Sequence, residues 1–173
     1  MANGRKYASF FEWPDKDRKE LGVVEELLRS LNAVSRLGLC NPRTNRPDPP
    51  DCVCEDGKGN LVAVEVVEFV CKEAARRNAK GENVMRAWNP GEIFAKASFL
   101  LIGKDAKKYL GGPYSGIVVC LFTDEPMLTF NEAKKELGSV KFGPFSQITS
   151  AFLVFSYDPH TKSYPTIPLQ ISA

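Results

Sequence analysis

Apolar residues recur at helical spacing over positions 15–37. Leu21, Val24, Leu27, Leu28, Leu31 and Val34 fall on one stripe, the mark of an amphipathic helix laid on a core. Asp15, just after Pro14, can cap its start. Arg36 lies in its last turn and Gly38 can end it. On the helical wheel Glu20 falls on the apolar side, Glu25 at its edge, and Glu26 points away.

The period then changes. DCVCE (51–55) and LVAVEVVEFV (61–70) are β-branched and apolar, and the turn-rich DGKGN (56–60) joins them, which predicts a hairpin. The Pro-rich NPRTNRPDPPD (41–51) reads as a loop that aims the first strand. A helix is expected over about 91–110, with Ile93, Ala97, Leu100, Leu101 and Lys104 in register and Gly111-Gly112 as its stop. GIVVCLF (116–122) is a buried strand. A loop and a short helix then run to about Gly138. FSQITSAFLVFSY (145–157) ends in a strand, DPHTKS is a turn, and SYPTIPLQI (163–171) reads as an edge strand because its prolines cannot donate ladder bonds. This order predicts an α/β fold: a mixed central β-sheet flanked by helices.

Composition agrees with one domain over 1–173. The chain is 43% hydrophobic and 25% charged, ordinary for a globular protein. No apolar run approaches the roughly 20 residues that span a bilayer. The N-terminal stretch lacks a signal-peptide core, so the protein is expected to be cytoplasmic, with no membrane partner. Phe10, Phe11 and Trp13 are expected to staple the first helix to the core. The five cysteines, Cys40, Cys52, Cys54, Cys71 and Cys120, sit mostly in apolar segments. With only His160 beside them they read as buried thiols rather than a zinc set. His160, in a turn, supports no Ser-His-Asp arrangement, and no nucleotide-binding glycine loop is present.

Net charge is +2, but residues 72–86 concentrate Lys72, Arg76, Arg77, Lys80 and Arg86 against two acids. Lys72, Arg76 and Lys80 share one face if the stretch is helical. It is either a solvated helix face or a strip that meets nucleic-acid phosphates.

Asp51 and Glu65 carry the candidate chemistry. If 56–60 closes the hairpin symmetrically about Lys58, the two are directly opposed and share a sheet face. A two-residue Asp56-Gly57 turn would instead set Asp51 against Val62. Opposed like charges destabilise a sheet, and a hard cation would remove that penalty. Without metal, Glu65→Gln is then expected to stabilise the protein slightly. Alternatively, Asp51 caps a turn after the prolines and Glu65 pairs with a nearby Lys or Arg.

A helix with an early Glu (Glu20 or Glu25), then Pro50-Asp51, a hairpin, and Glu65 within AVEVVEF resembles the PD-(D/E)xK nuclease superfamily. The following helix and GIVVCLF match that core's order. The resemblance implies a restriction-endonuclease-like core and hydrolysis of DNA phosphodiesters, with Asp51 and Glu65 holding Mg²⁺ or Mn²⁺. It also implies Glu20 at the site and the basic strip on the nucleic-acid backbone. The family's lysine position, two residues after Glu65, is Val67. A neighbouring element then has to supply the lysine: Lys72, just past the strand, or Lys96, on the next helix. Lys58, at the hairpin tip, lies too far away. Otherwise the fold is inactive and binds nucleic acid or a protein partner. A second copy is a further possible partner.

Overall fold

The computed structural model describes residues 15–34 and 38–172. Phe10, Phe11, Trp13 and Arg36 lie outside the described residues. The fold is α/β: a seven-stranded mixed sheet flanked by helices, with strand order β1-β2-β3-β4-β6-β7-β5. The strands are β1 (Cys40–Thr44), β2 (Cys52–Glu55), β3 (Leu61–Glu68), β4 (Ile117–Thr123), β5 (Lys141–Phe142), β6 (Ile148–Phe155) and β7 (Thr166–Ile171). The helices are α1 (Lys16–Val34), α2 (Lys72–Ala79), α3 (Glu92–Asp105) and α4 (Phe130–Leu137). β3, β4 and β6 run parallel, and β1, β2 and β7 add antiparallel pairs. All seven residues of β4 are buried, as expected of a parallel strand covered on both faces.

Strand alternation sorts the core into two layers. Val62, Val64, Val66, Cys52 and Cys54 pack under Val23, Val24, Leu27, Leu28 and Leu31 of α1. Ala63, Val119, Leu121 and Leu153 meet Ile93, Ala97 and Leu101 of α3 and Leu137 of α4 on the other face. Each fully buried aliphatic side chain contributes roughly 1.5–3 kcal/mol. Asp15 caps α1 by accepting the Arg18 N–H at 3.1 Å.

The hairpin closes on five residues. Asp56 Oδ1 accepts the backbone N–H groups of Lys58 (2.8 Å) and Asn60 (2.9 Å), and the Asp56 carbonyl accepts that of Gly59. Gly59 takes a φ of +80°, which favours glycine. This loop sets Val53 against Ala63 and Cys52 against Val64. The same register carried one step further opposes Asp51 and Glu65.

Three expectations need correction. Part of the proline-rich stretch forms β1, paired to β2. β5 lies outside β7 at one end, so the expected edge strand is partly covered. α3 stops at Asp105, well before Gly111. Tyr109 donates its hydroxyl to the Lys104 carbonyl, and Leu110 donates its backbone N–H to the Pro49 carbonyl. The hairpin approach thus takes a bond that a longer helix would need.

Candidate metal and phosphate site

Asp51 and Glu65 point to the sheet face covered by α3. Asp51 Oδ2 accepts the backbone N–H of Val66 at 2.9 Å, so its carboxylate extends the ladder just past the end of β2. Asp48, three residues earlier in the loop, completes a cluster. Asp48, Asp51 and Glu65 each offer a carboxylate oxygen within 4.8 Å of the others, the one such metal-capable group among the described residues. Glu65 is fully buried. Its Oε1 has no hydrogen-bond partner among the described residues, and an orphaned buried acceptor is costly unless something meets it. Burial first, and the Glu65 carboxylate next, raise the pKa of Asp51 above the usual aspartate range. An all-oxygen, carboxylate-rich set of this kind fits a hard divalent cation.

Two lysines, one from the end of α3 and one from the loop after it, meet the Glu65 carboxylate. Glu65 Oε2 accepts from the ammonium of Lys104 and, at 3.0 Å, from that of Lys107. These contacts also correct the expectation of bare repulsion between the opposed acids: two cations already compensate Glu65. Lys104 was visible as a lysine on the apolar stripe of its helix, one turn beyond the buried Ile93, Ala97 and Leu101. Lys107 had no such signal, because it depends on where α3 ends.

Asp105 anchors this arrangement. Its carboxylate accepts the backbone N–H groups of Ser146 (2.9 Å), Gln147 (2.8 Å) and Ile148 (3.1 Å), tying the end of α3 to the start of β6.

The first turns of α1 reach the same cluster. Glu20 is buried, and its pKa is pushed up from 4.5 to about 7, by burial first and then by Asp51. Lys16 Nζ lies 3.4 Å from Glu20, 3.3 Å from Asp48 and 3.8 Å from Asp51. Glu25 is exposed and takes no part.

The two expected lysines lie elsewhere. Burial, and next the neighbouring Lys72, lower the Lys96 pKa; Glu125 and Glu68 are acidic neighbours that raise it. This is a second acidic group, in which burial first, then Asp124 and Glu125, push Glu68 up to about 7. Neither Lys72 nor Lys96 ion-pairs with Glu65; the helix sets Lys96 two turns from Lys104.

The basic strip is partly neutralised. α2 is helical and exposes Lys72, Arg76 and Arg77, with Lys80 at its C-cap. Arg77, however, pairs with Glu82 at 2.6 Å and Arg86 with Glu92 at 2.5 Å. Cys52, Cys54 and Cys120 are buried free thiols. His160 is exposed in its turn. No helix among the described residues is long and apolar enough to cross a membrane. Set against models of known protein families, curated proteins and solved structures, the chain matches none of them.

Proposed function

We propose that this protein hydrolyses nucleic-acid phosphodiesters, DNA in preference, through a metal-dependent site on a restriction-endonuclease-like core of the PD-(D/E)xK type. One observation carries the reading: Asp48, Asp51 and Glu65 bring carboxylate oxygens within 4.8 Å of one another, and the buried Glu65 carboxylate has one oxygen without a hydrogen bond and two lysine ammonium groups on the other. Asp51 and Glu65, with Asp48, would hold Mg²⁺ or Mn²⁺. When bound, such an ion supplies an acidified water and neutralises phosphate charge.

The chain's own groups do the rest. The Val66 N–H fixes the Asp51 carboxylate. Lys104 and Lys107 hold Glu65 in place and set positive charge beside it, where negative charge on a phosphate would grow. Glu20, with a pKa of about 7, can take or give a proton near neutrality. Lys72, Arg76 and Lys80 are exposed charges of the strip outside the Arg77–Glu82 and Arg86–Glu92 pairs and would follow the backbone phosphates.

The test is cleavage of single- and double-stranded DNA and RNA with Mg²⁺ or Mn²⁺, run beside Asp51→Asn and Glu65→Gln. Cleavage by the wild type alone supports the reading. The Lys104–Glu65 ion pair favours a second reading, a non-catalytic fold that binds nucleic acid or a protein. Salt-sensitive DNA binding without cleavage under any condition would establish that one instead.

A further inference from the structure

Lys16 holds a position no other lysine of the site shares. Its ammonium touches Asp48, Asp51 and Glu20 together. On Asp51 it takes Oδ1, the oxygen that the Val66 N–H leaves free. Its side chain is 61% exposed, whereas that of Lys104 is 13% exposed. Lys104 is therefore a packed member of the site, and Lys16 is a cover on its solvent side.

We infer that Lys16 is a displaceable counter-cation, which a divalent ion drives off Asp48 and Asp51 and which is then free to meet the substrate phosphate. The inference rests on the metal-site reading above. Two like charges about 4 Å apart repel by roughly 4 kcal/mol at the effective dielectric of a protein surface. A divalent ion and the ammonium therefore cannot both keep these carboxylates cheaply. The Lys16–Asp48 pair is exposed on both sides and is worth only about 0–1 kcal/mol, and Lys16 has a largely exposed side chain that Lys104 lacks, so Lys16 is the partner that yields. Its backbone stays fixed in the first turn of α1 while its four-carbon stem swings outward. Linkage makes the effect reciprocal: whatever removes Lys16 tightens the metal, and the metal releases Lys16.

The experiment titrates Mn²⁺ calorimetrically into wild type, Lys16→Ala and Lys16→Gln; the glutamine variant keeps the stem and a hydrogen-bonding head. Both variants are expected to bind about three- to tenfold more tightly. The gain should persist in about 0.5 M salt, which screens distant charges far more than adjacent ones. Mg²⁺ should also raise the rate at which Lys16, read by peptide mass, is acylated. Equal or weaker affinity in the variants, or a gain erased by salt, overturns the role of Lys16 and leaves the metal site standing. Absence of Mn²⁺ binding in all three proteins overturns both.

Discussion

Lys104 meets Glu65 across 39 positions of sequence, and the contact joins a helix to the strand it crosses. Glu65 is fully buried and Lys104 nearly so, so the charges are compensated inside the protein rather than in solvent. Removing one partner of such a group costs more than the pair contributes. Glu65→Gln should therefore abolish metal binding and also lower stability, by about 1–3 kcal/mol in urea titrations with chelator present. Adding Lys104→Met should recover part of that loss. A Glu65→Gln protein at least as stable as wild type would mean that the lysines contribute nothing to the fold.

Lysine identity can be tested directly. Lys104→Ala should lower kcat by about 10²-fold or more, the scale of losing a pre-organised electrostatic group. Lys96→Ala should stay within about threefold of wild type, since two helical turns separate it from Lys104 and the Glu65 carboxylate that Lys104 meets. The reverse ranking would restore the expectation drawn from sequence.

Asp105 gives a positioning test. Asp105→Ala frees the end of α3 from three backbone donors at the start of β6, costing about 1–3 kcal/mol. It should lower kcat more than it raises KM, because Lys104 and Lys107 lose their aim while the groups that bind substrate remain. Asp105→Asn keeps one acceptor oxygen, enough for the Gln147 and Ile148 N–H groups but not also for that of Ser146, and should restore only part of both. Full activity in Asp105→Ala would detach this anchor from the site.

Glu20 predicts a pH dependence. Its folded pKa lies above the unfolded value, so the folded state holds more protons and stability falls as pH rises from about 4.5 through about 7. The penalty is absent below the unfolded value and complete above the folded one. Asp51, Lys16 and Asp48 face the group, the two acids raising its pKa and the lysine lowering it. Glu20→Gln should flatten this slope and stabilise the protein at pH 8 on the order of 1–3 kcal/mol. An unchanged profile of melting temperature against pH would show that Glu20 does not carry the dependence.

Nucleic-acid binding should weaken with salt. Replacing Lys72, Arg76 and Lys80 together should shallow the log–log slope by about 0.9 for each phosphate that is no longer neutralised. Replacing Arg77 and Arg86 should change it less, since Glu82 and Glu92 already engage them. Equal effects from the two sets would make the strip a diffuse charge.

The hairpin register was legible because local chemistry sets it: Asp56, Gly59 and Asn60 determine the loop, and the loop opposes Asp51 to Glu65. The α1 stripe was legible for the same reason, and it put Glu20 on the buried side. Lys104 was legible only as a lysine on the apolar stripe of α3; its meeting with Glu65, and Lys107 altogether, were hidden because they depend on how far α3 runs and how it crosses β3. KDAKKYL favours a helix by propensity, but α3 ends at Asp105 and the Leu110 N–H goes to the Pro49 carbonyl instead of a helical one. β1 was hidden because Pro42 argues against a strand, and only pairing with β2 makes one.

The two margins of the sheet share a further property. Pro42 in β1 has no N–H to offer, and the pairing slips between Cys40 and Arg43. At the far side β5 is two residues long. Phe155 N–H binds the Pro165 carbonyl and Ser172 N–H binds that of Phe142, so alternate residues of β7 face outward and Pro168 is among them. An incoming extended peptide would find a broken row of donors on either flank, and growth by strand addition from chain to chain has no template.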